Sequence, residues 1–354
     1  VTGVTLKQVA AEAGVSAATA SLVLRGLATG RASDDVAARV HTAAADLGYQ
    51  PNLTARSLRS GATMTIGLLS DDVATTPFAG RMLAGAQDAA WNRGWMVYIV
   101  DAGGKDEIKD RAIRSFQQRN VDGLVYAEMY HQIVEAPKPG MPVVLLDCRE
   151  AVPTGAVSSV VPDETAGGYT AAKFLLDQGH RRIAYLAAGD NNVARVLRAQ
   201  GFELAVATVP DAEALTFIAG NSDAAGGREA MVQALAASPR PTAVFCYTDR
   251  MAMGAYSVIA EAGLRIPDDI SVIGFDNQPF LADALVPPLT SVELPHYEMG
   301  AWAVNKLIDV LEDSDSPRHE QVRLAGPLVA RESVAPPRPG GREGAHAASA
   351  RTRR

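Results

Sequence analysis

Apolar and polar residues follow two different rhythms along this chain. Through residues 1–61 the apolar positions recur every three or four residues in short runs, each opened by a small polar residue. Thr5 with Gln8 forms a capping box and predicts a helix over 6–13, closed by Gly14. Ser16 caps a second helix that runs to Leu24, with Ala20, Val23 and Leu24 on one side. Ser33 opens a third over 34–47, where Asp34 and Asp35 complement the helix dipole and Gly48 ends it. Asn52 caps a very short fourth over 53–60. From residue 64 β-branched runs take over, at 65–69, 96–100, 123–126 and 143–146, then 183–186, 215–219, 243–246 and 271–275. Amphipathic stretches lie between them at 80–92, 108–118, 165–178 and 251–262. This alternation predicts parallel sheets with right-handed crossovers, arranged as two similar α/β lobes in series behind an all-α head. The expected divisions are 1–50, a linker over 51–61, a two-lobed body over 62–335, and a Pro-, Gly- and Arg-rich disordered tail over 336–354.

Composition narrows the function classes. The chain has 354 residues, of which 47% are hydrophobic, enough for two or three cored domains. No apolar run approaches the ~20 residues of a membrane span. Val1 to Ala10 is neither cationic nor apolar, so no secretion leader is expected. Cys148 and Cys246 make no disulfide framework or metal spacing, which suits a reducing, cytoplasmic setting. The net charge of −7 is unevenly spread, because the first 61 residues hold six basic and four acidic side chains and the tail five arginines against Glu343. A basic head on an acidic body points to a polyanion at one end.

Candidate chemistry follows that division. Helix, glycine turn, helix is the helix-turn-helix pattern, and Ser16, Thr19 and Ser21 place small hydroxyls where a major-groove helix meets phosphates. Spacing alone fits an ordinary capped hairpin equally well. In the body, Asp147 and Asp276 directly follow apolar strands and Asp249 follows one by three residues. Ligands of open α/β sheets bind at strand carboxyl ends, where carboxylates can chelate vicinal hydroxyls. Phe78, after Pro77, offers a face on which a sugar or base could stack. The same residues also have plain readings as caps and core. The six histidines form no metal-like cluster, and there is no GxGxxG after a strand, no P-loop and no GxSxG elbow, so neither cofactor, metal nor enzymatic chemistry is indicated.

The segments Thr5-Leu6-Lys7-Gln8-Val9-Ala10, Ala13-Gly14-Val15-Ser16, Thr19-x-Ser21-x-Val23-Leu24-x-Gly26, Leu47-Gly48-Tyr49-x-Pro51-Asn52 and Ala55-Arg56-Ser57-Leu58 together resemble the headpiece of LacI/GalR-type transcriptional regulators. The resemblance continues through Asp122-Gly123-Leu124-Val125, Gly179-His180-Arg181-Arg182-Ile183 and Pro267 to Asp276, up to Ser333. It implies a homodimer on a pseudo-palindromic double-stranded operator, controlled by a small effector in a periplasmic-binding-protein-like body. It also implies DNA contacts from Thr5, Ser16, Ala17, Ala18, Thr19, Ser21, Leu22 and Arg25, and from Asn52, Ala55 and Leu58 of a hinge helix. Leu58 matches the leucine that wedges between base pairs in the minor groove. Ala17, Ala18 and Leu22 stand at base-reading positions, where methyl and isobutyl groups can touch thymine methyls but make no bidentate hydrogen bonds. For the effector site the resemblance adds Arg198, in Arg-x-x-Gly, to Phe78, Asp147, Asp249 and Asp276. Asn221 stands on a loop where relatives often carry an aromatic, and Thr248 where many have Asn, departures that leave the effector's identity open. The expected effector is a sugar; the alternatives are a nucleobase or nucleoside stacked on Phe78, or no ligand control. A sugar-binding transport protein would share the body but not residues 1–61.

Overall fold

The structure, a computed structural model, describes residues 4–24, 32–50, 61–73, 76, 78–152, 155, 157–189, 192–313 and 319–338. It divides into two units, Val1–Thr63 and Met64–Arg354.

The first unit holds helices α1 (Leu6–Glu12), α2 (Ala17–Leu24) and α3 (Asp34–Asp46). Thr5 caps α1 reciprocally: its amide donates to Gln8 Oε1 at 2.8 Å, and its hydroxyl accepts from the Gln8 amide at 3.4 Å. Gly14, at φ +65°, supplies the left-handed residue that turns the chain from α1 into α2. Ser16 then opens α2, its Oγ accepting from the Thr19 amide at 3.0 Å. Val9, Ala10, Ala13, Ala20, Val23, Val40, Ala43 and Ala44 form the core. Alanine-rich contact faces let three short helices cross closely. The stretch 53–60 expected as a hinge helix, with Asn52, Ala55 and Leu58, lies outside the described residues, as does Arg25.

The second unit contains two six-stranded sheets. Its elements run β1 (Thr65–Ser70), α4 (Ala79–Asn92), β2 (Met96–Asp101), α5 (Asp106–Gln118), β3 (Gly123–Val134), β4 (Val143–Glu150), β5 (Ser158–Pro162) and α6 (Glu164–Asp177). Then follow β6 (Arg182–Ala188), α7 (Val193–Val206), β7 (Glu213–Ala219), α8 (Ala224–Ala236), β8 (Ala243–Cys246), α9 (Asp249–Glu261) and β9 (Ser271–Asp276). The last are β10 (Thr290–Glu293), α10 (His296–Glu312), β11 (Gln321–Leu324) and β12 (Leu328–Val329). One sheet has the order β11-β5-β4-β3-β1-β2, the other β12-β10-β9-β8-β6-β7. All pairings are parallel except β10 with β12.

Helices cover both faces of the first sheet. Met82, Ala86, Val304 and Leu307 from α4 and α10 pack on Ile66, Val125 and Leu146, while Phe116 of α5 packs on Leu69, Leu124 and Leu145 of the other face. The second lobe has one larger core around Tyr185, Phe202, Phe245 and Phe275.

The expected eight strands are present, but the lobes are not simply in series. After the second sheet the chain returns to the first lobe as α10 and β11, and crosses back for β12. The lobes are therefore joined near 162–164, 293–296 and 324–328. At these crossings the Asp163 amide donates to the Leu324 carbonyl at 2.8 Å and the Glu293 amide to the Pro327 carbonyl at 2.9 Å. Three adjacent strands of this kind let two lobes pivot without unfolding either core.

Candidate effector cleft and DNA-facing helix

A cavity of about 320 Å³ opens between the two lobes, lined by residues from both. On its first-lobe wall, β3 and β4 pair in register to Ala127↔Leu146 and resume at Gln132↔Cys148, so residues of β3 bulge out between them. The bulge turns Tyr130, at φ 90°, and His131 toward the cavity, opposite Asp147 at φ 55°. Non-glycine residues held in this region are strained and cluster at binding sites. Tyr130 donates its amide to Asp147 Oδ2 at 3.1 Å. Asp147 Oδ1 and both ring nitrogens of His131 have no hydrogen-bond partner, although the residues are only 2% and 3% exposed. Leaving buried polar groups unpaired costs about 1–3 kcal/mol each, so such atoms mark the place where a ligand or water is received.

Burial and the nearby Glu164 carboxylate push Asp147 well above the usual carboxylate range, against the Tyr130 amide and Arg198. Burial, reinforced by Arg149, Arg323 and Arg198, lowers His131 to about 4, so its ring is neutral at pH 7 and offers one donor and one acceptor. Phe78 stacks on His296 with centroids 4.7 Å apart and meets Tyr130 edge-on at 5.7 Å.

The second-lobe wall is built on a close helix crossing. Gly168 of α6 and Gly201 of α7 leave no room for a side chain: a Cβ would lie 2.2 Å from the Arg198 carbonyl oxygen and 2.0 Å from that of Thr165. This approach brings Arg198 against Glu164 at the start of α6. Arg198 Nε donates to Glu164 Oε2 at 2.6 Å, Nη2 to Oε1 at 3.3 Å, and Nη1 to the Tyr247 carbonyl at 2.7 Å. Its Nη1 lies 3.5 Å from Asp276 Oδ1, and its guanidinium sits 3.7 Å above the Phe275 ring. Burial raises the Asp276 carboxyl while Arg198 opposes the rise.

Four residues singled out from the sequence, Phe78, Asp147, Arg198 and Asp276, therefore share one cavity. Two do not line it. Asp249 is fully buried beneath it, where its carboxylate accepts from the Ser291 hydroxyl and the Gln278 amide, each at 2.7 Å, and so ties β9 and β10 together. Asn221 is exposed on its loop, its carbonyl held against Gly226, and Ser222 beside it supplies the wall instead. Sequence reasoning missed His131, Gln132, Glu164, Asn192 and Tyr247. Of these only Glu164 carried a signal, following the helix cap Asp163 directly after a β-branched strand.

In the first unit Thr5, Ser16 and Ala18 are exposed, and Ala17, Thr19, Ser21 and Leu22 are half-buried. The Ser16 and Thr19 hydroxyls bond to each other at 2.8 Å. Among the described residues no group of His, Cys, Asp or Glu converges to hold a metal ion, and no helix is long and apolar enough to cross a membrane.

A helix-turn-helix unit carried with a two-lobed receptor whose cleft holds unpaired polar groups defines a one-component, ligand-responsive transcriptional regulator. Comparison with known proteins agrees with that class. Residues 5–52 match the family of bacterial regulatory proteins of the lacI type, and residues 172–334 match a periplasmic binding protein-like domain. The chain is 33% identical over 313 residues to the ribose operon repressor of Escherichia coli K12, covering 86% of this chain and 92% of that one. It is 32% identical over 335 residues to the transcriptional repressor PurR of Photobacterium profundum, covering 93% and 98%. A solved lac repressor dimer, bound to operator and the anti-inducer ONPF, superposes with a TM-score of 0.69 at 25% identity, covering 94% of this chain and all of that one. The chain belongs to the LacI family and is a sequence-specific DNA-binding transcriptional regulator.

Proposed function

We propose that this regulator is a repressor that binds a pseudo-palindromic operator as a homodimer, and that a small neutral sugar in the inter-lobe cavity sets its DNA affinity. The observation that carries the effector reading is the unpartnered trio of polar atoms on Asp147 and His131, aimed at a cavity shared with Arg198, Glu164 and Asp276. Carboxylates accept from hydroxyls, Arg198 can donate to ring or hydroxyl oxygens, and the aromatic faces of Phe78 and Tyr247 suit the apolar side of a pyranose or furanose. At about 320 Å³ the cavity lies near the lower end of small-ligand sites, which favours a monosaccharide over a longer sugar. The relative named as a ribose operon repressor supports the same class.

A second copy of the chain is the partner favoured by exposed apolar residues along one edge of the first lobe. Trp91 of α4 is 71% exposed, and Met96, Tyr98 and Ile99 are exposed on the edge strand β2. The solved relative that is a dimer on operator supports this pairing. Ligand-driven closure of the lobes would change the spacing of the two headpieces and hence operator affinity. The hinge leucine, Leu58, is proposed to wedge into the minor groove.

Thermal-shift screening of the full chain against monosaccharides and purines tests the effector reading. A ligand at a hundred times its Kd adds ~2.7 kcal/mol to stability. Stabilisation by a neutral sugar supports the proposal, and stabilisation by purines alone transfers the cleft to a nucleobase. Leu58→Ala is expected to weaken operator binding while sparing affinity for random duplex; equal loss on both contradicts the wedge.

A further inference from the structure

The outward face of α2 is chemically unusual for a helix that reads base edges. Its eight residues, Ala-Ala-Thr-Ala-Ser-Leu-Val-Leu, include no amide, carboxylate, ammonium or guanidinium. Ala20 and Val23 are buried in the head's core, with Ala17 and Leu24 packed against it. That leaves Ala18 exposed and Leu22, one turn later, half-exposed and outside the core cluster. These two sit at i and i+4 and so form one continuous apolar strip. The hydroxyls beside the strip are partly committed, since Ser16 and Thr19 bond to each other and Ser16 also caps the helix. The next long polar side chain in the sequence is Arg25, beyond the end of the helix.

A major groove presents one apolar group that distinguishes base pairs, the C5-methyl of thymine. We infer that the operator half-sites present thymine methyl groups to the Ala18–Leu22 strip, and that methyl contact rather than bidentate hydrogen bonding is the base-specific term of this helix. The inference rests on the proposed operator binding and names the chemistry of its half-site. It also gives the exposed part of Leu22 a partner: on DNA that part is covered.

The test uses duplexes that the full chain selects from a random pool. Each half-site thymine is replaced by deoxyuridine, which deletes the methyl and keeps every hydrogen-bonding edge. The expected result is a loss of about fourfold in affinity per contacted methyl, and about 15-fold when both half-sites are changed. Thymines in the flanks serve as controls and should be indifferent. Replacing a contacted T·A pair by C·G should weaken binding, and 5-methylcytosine at that position should recover part of the loss. Leu22→Ala, a change that favours helix, should shrink the deoxyuridine penalty at the thymine facing it. Selected duplexes whose half-sites lack thymine, or that bind equally well as deoxyuridine versions, would overturn the inference while leaving operator binding intact. Failure to select any preferred duplex would overturn operator binding itself, and this inference with it.

Discussion

On the second-lobe wall of the cleft, Arg198 is held by Glu164, the Tyr247 carbonyl and Asp276, and rests on the Phe275 ring. On the first-lobe wall, Asp147 and His131 face the same cavity with three polar atoms unpartnered. Both walls are buried, so the difference lies in pairing rather than in exposure. The second lobe carries a finished platform, whose charges compensate one another before any ligand arrives. The first lobe carries a debt of unmade hydrogen bonds that a hydroxyl-rich ligand would supply on closure. A cleft arranged this way favours its closed form only when the ligand bridges the walls, which is the differential contact that a two-state switch requires.

Removing the platform should have the largest effect. Arg198→Ala leaves Glu164 and Asp276 facing each other in a buried site, and stability should fall by on the order of 3–5 kcal/mol. Denaturant titration checks this, and a loss below that of an ordinary surface substitution would mean the network is not a unit. Next in size, taken per group, is an acid response. Burial lowers His131 and His180 to about 4 and His296 to about 3. A depressed histidine contributes stability that is present above its unfolded value near 6.5 and is lost as pH falls through its folded value. Stability should therefore decline from pH ~6.5 toward pH 4, by on the order of 3 kcal/mol per histidine. A flat profile between pH 7 and 5 would contradict their burial as neutral rings.

The sharpest contrast comes from Asp147→Asn. Because burial raises this carboxyl, the ionised side chain opposes folding as pH rises above its unfolded value of ~3.9, and the amide removes that dependence. The variant should be as stable as the parent or more so at pH 7.5, yet bind effector about 10- to 100-fold more weakly. Calorimetry of unfolding and of binding reads the two signs separately, and loss of both together would assign Asp147 to the scaffold. The smallest effect is expected at the crossing between lobes, where Arg81 of α4 pairs with Glu293 at 2.8 Å and Asn277 donates to the same carboxylate at 2.7 Å. Glu293→Gln should cost less than about 1 kcal/mol, because the pair is partly solvated. A larger change in urea midpoint would make this contact a principal tie between the lobes.

The legible parts of the molecule were those written in local pattern. Thr5 with Gln8, Gly14, Ser16 and Ser33 announce their helices because capping is decided within four residues. The carboxylates Asp147 and Asp276 were visible because an apolar run stops at each, although β4 continues past Asp147 to Glu150 and only Asp276 ends its strand. What could not be read depends on distant partners. Asp249 has the same local appearance as a cleft residue, but its fate is set by Ser291 and Gln278, which pack on it from later in the chain. His131 reaches the cavity through a change of register between β3 and β4, and no periodicity in β3 alone reveals that shift. Likewise β11 and β12 have four and two residues, too short to show a rhythm, although they decide how often the chain crosses between lobes.

Fluorescence anisotropy on a selected operator duplex, with the full chain titrated by neutral monosaccharides, addresses the central claim most directly. At least one sugar should shift operator affinity by about 5- to 150-fold, and Asp147→Asn should erase most of that shift while binding the operator alone as the parent does. Operator affinity unmoved by every sugar and purine tested, or a response unchanged in Asp147→Asn, would contradict control through this cleft.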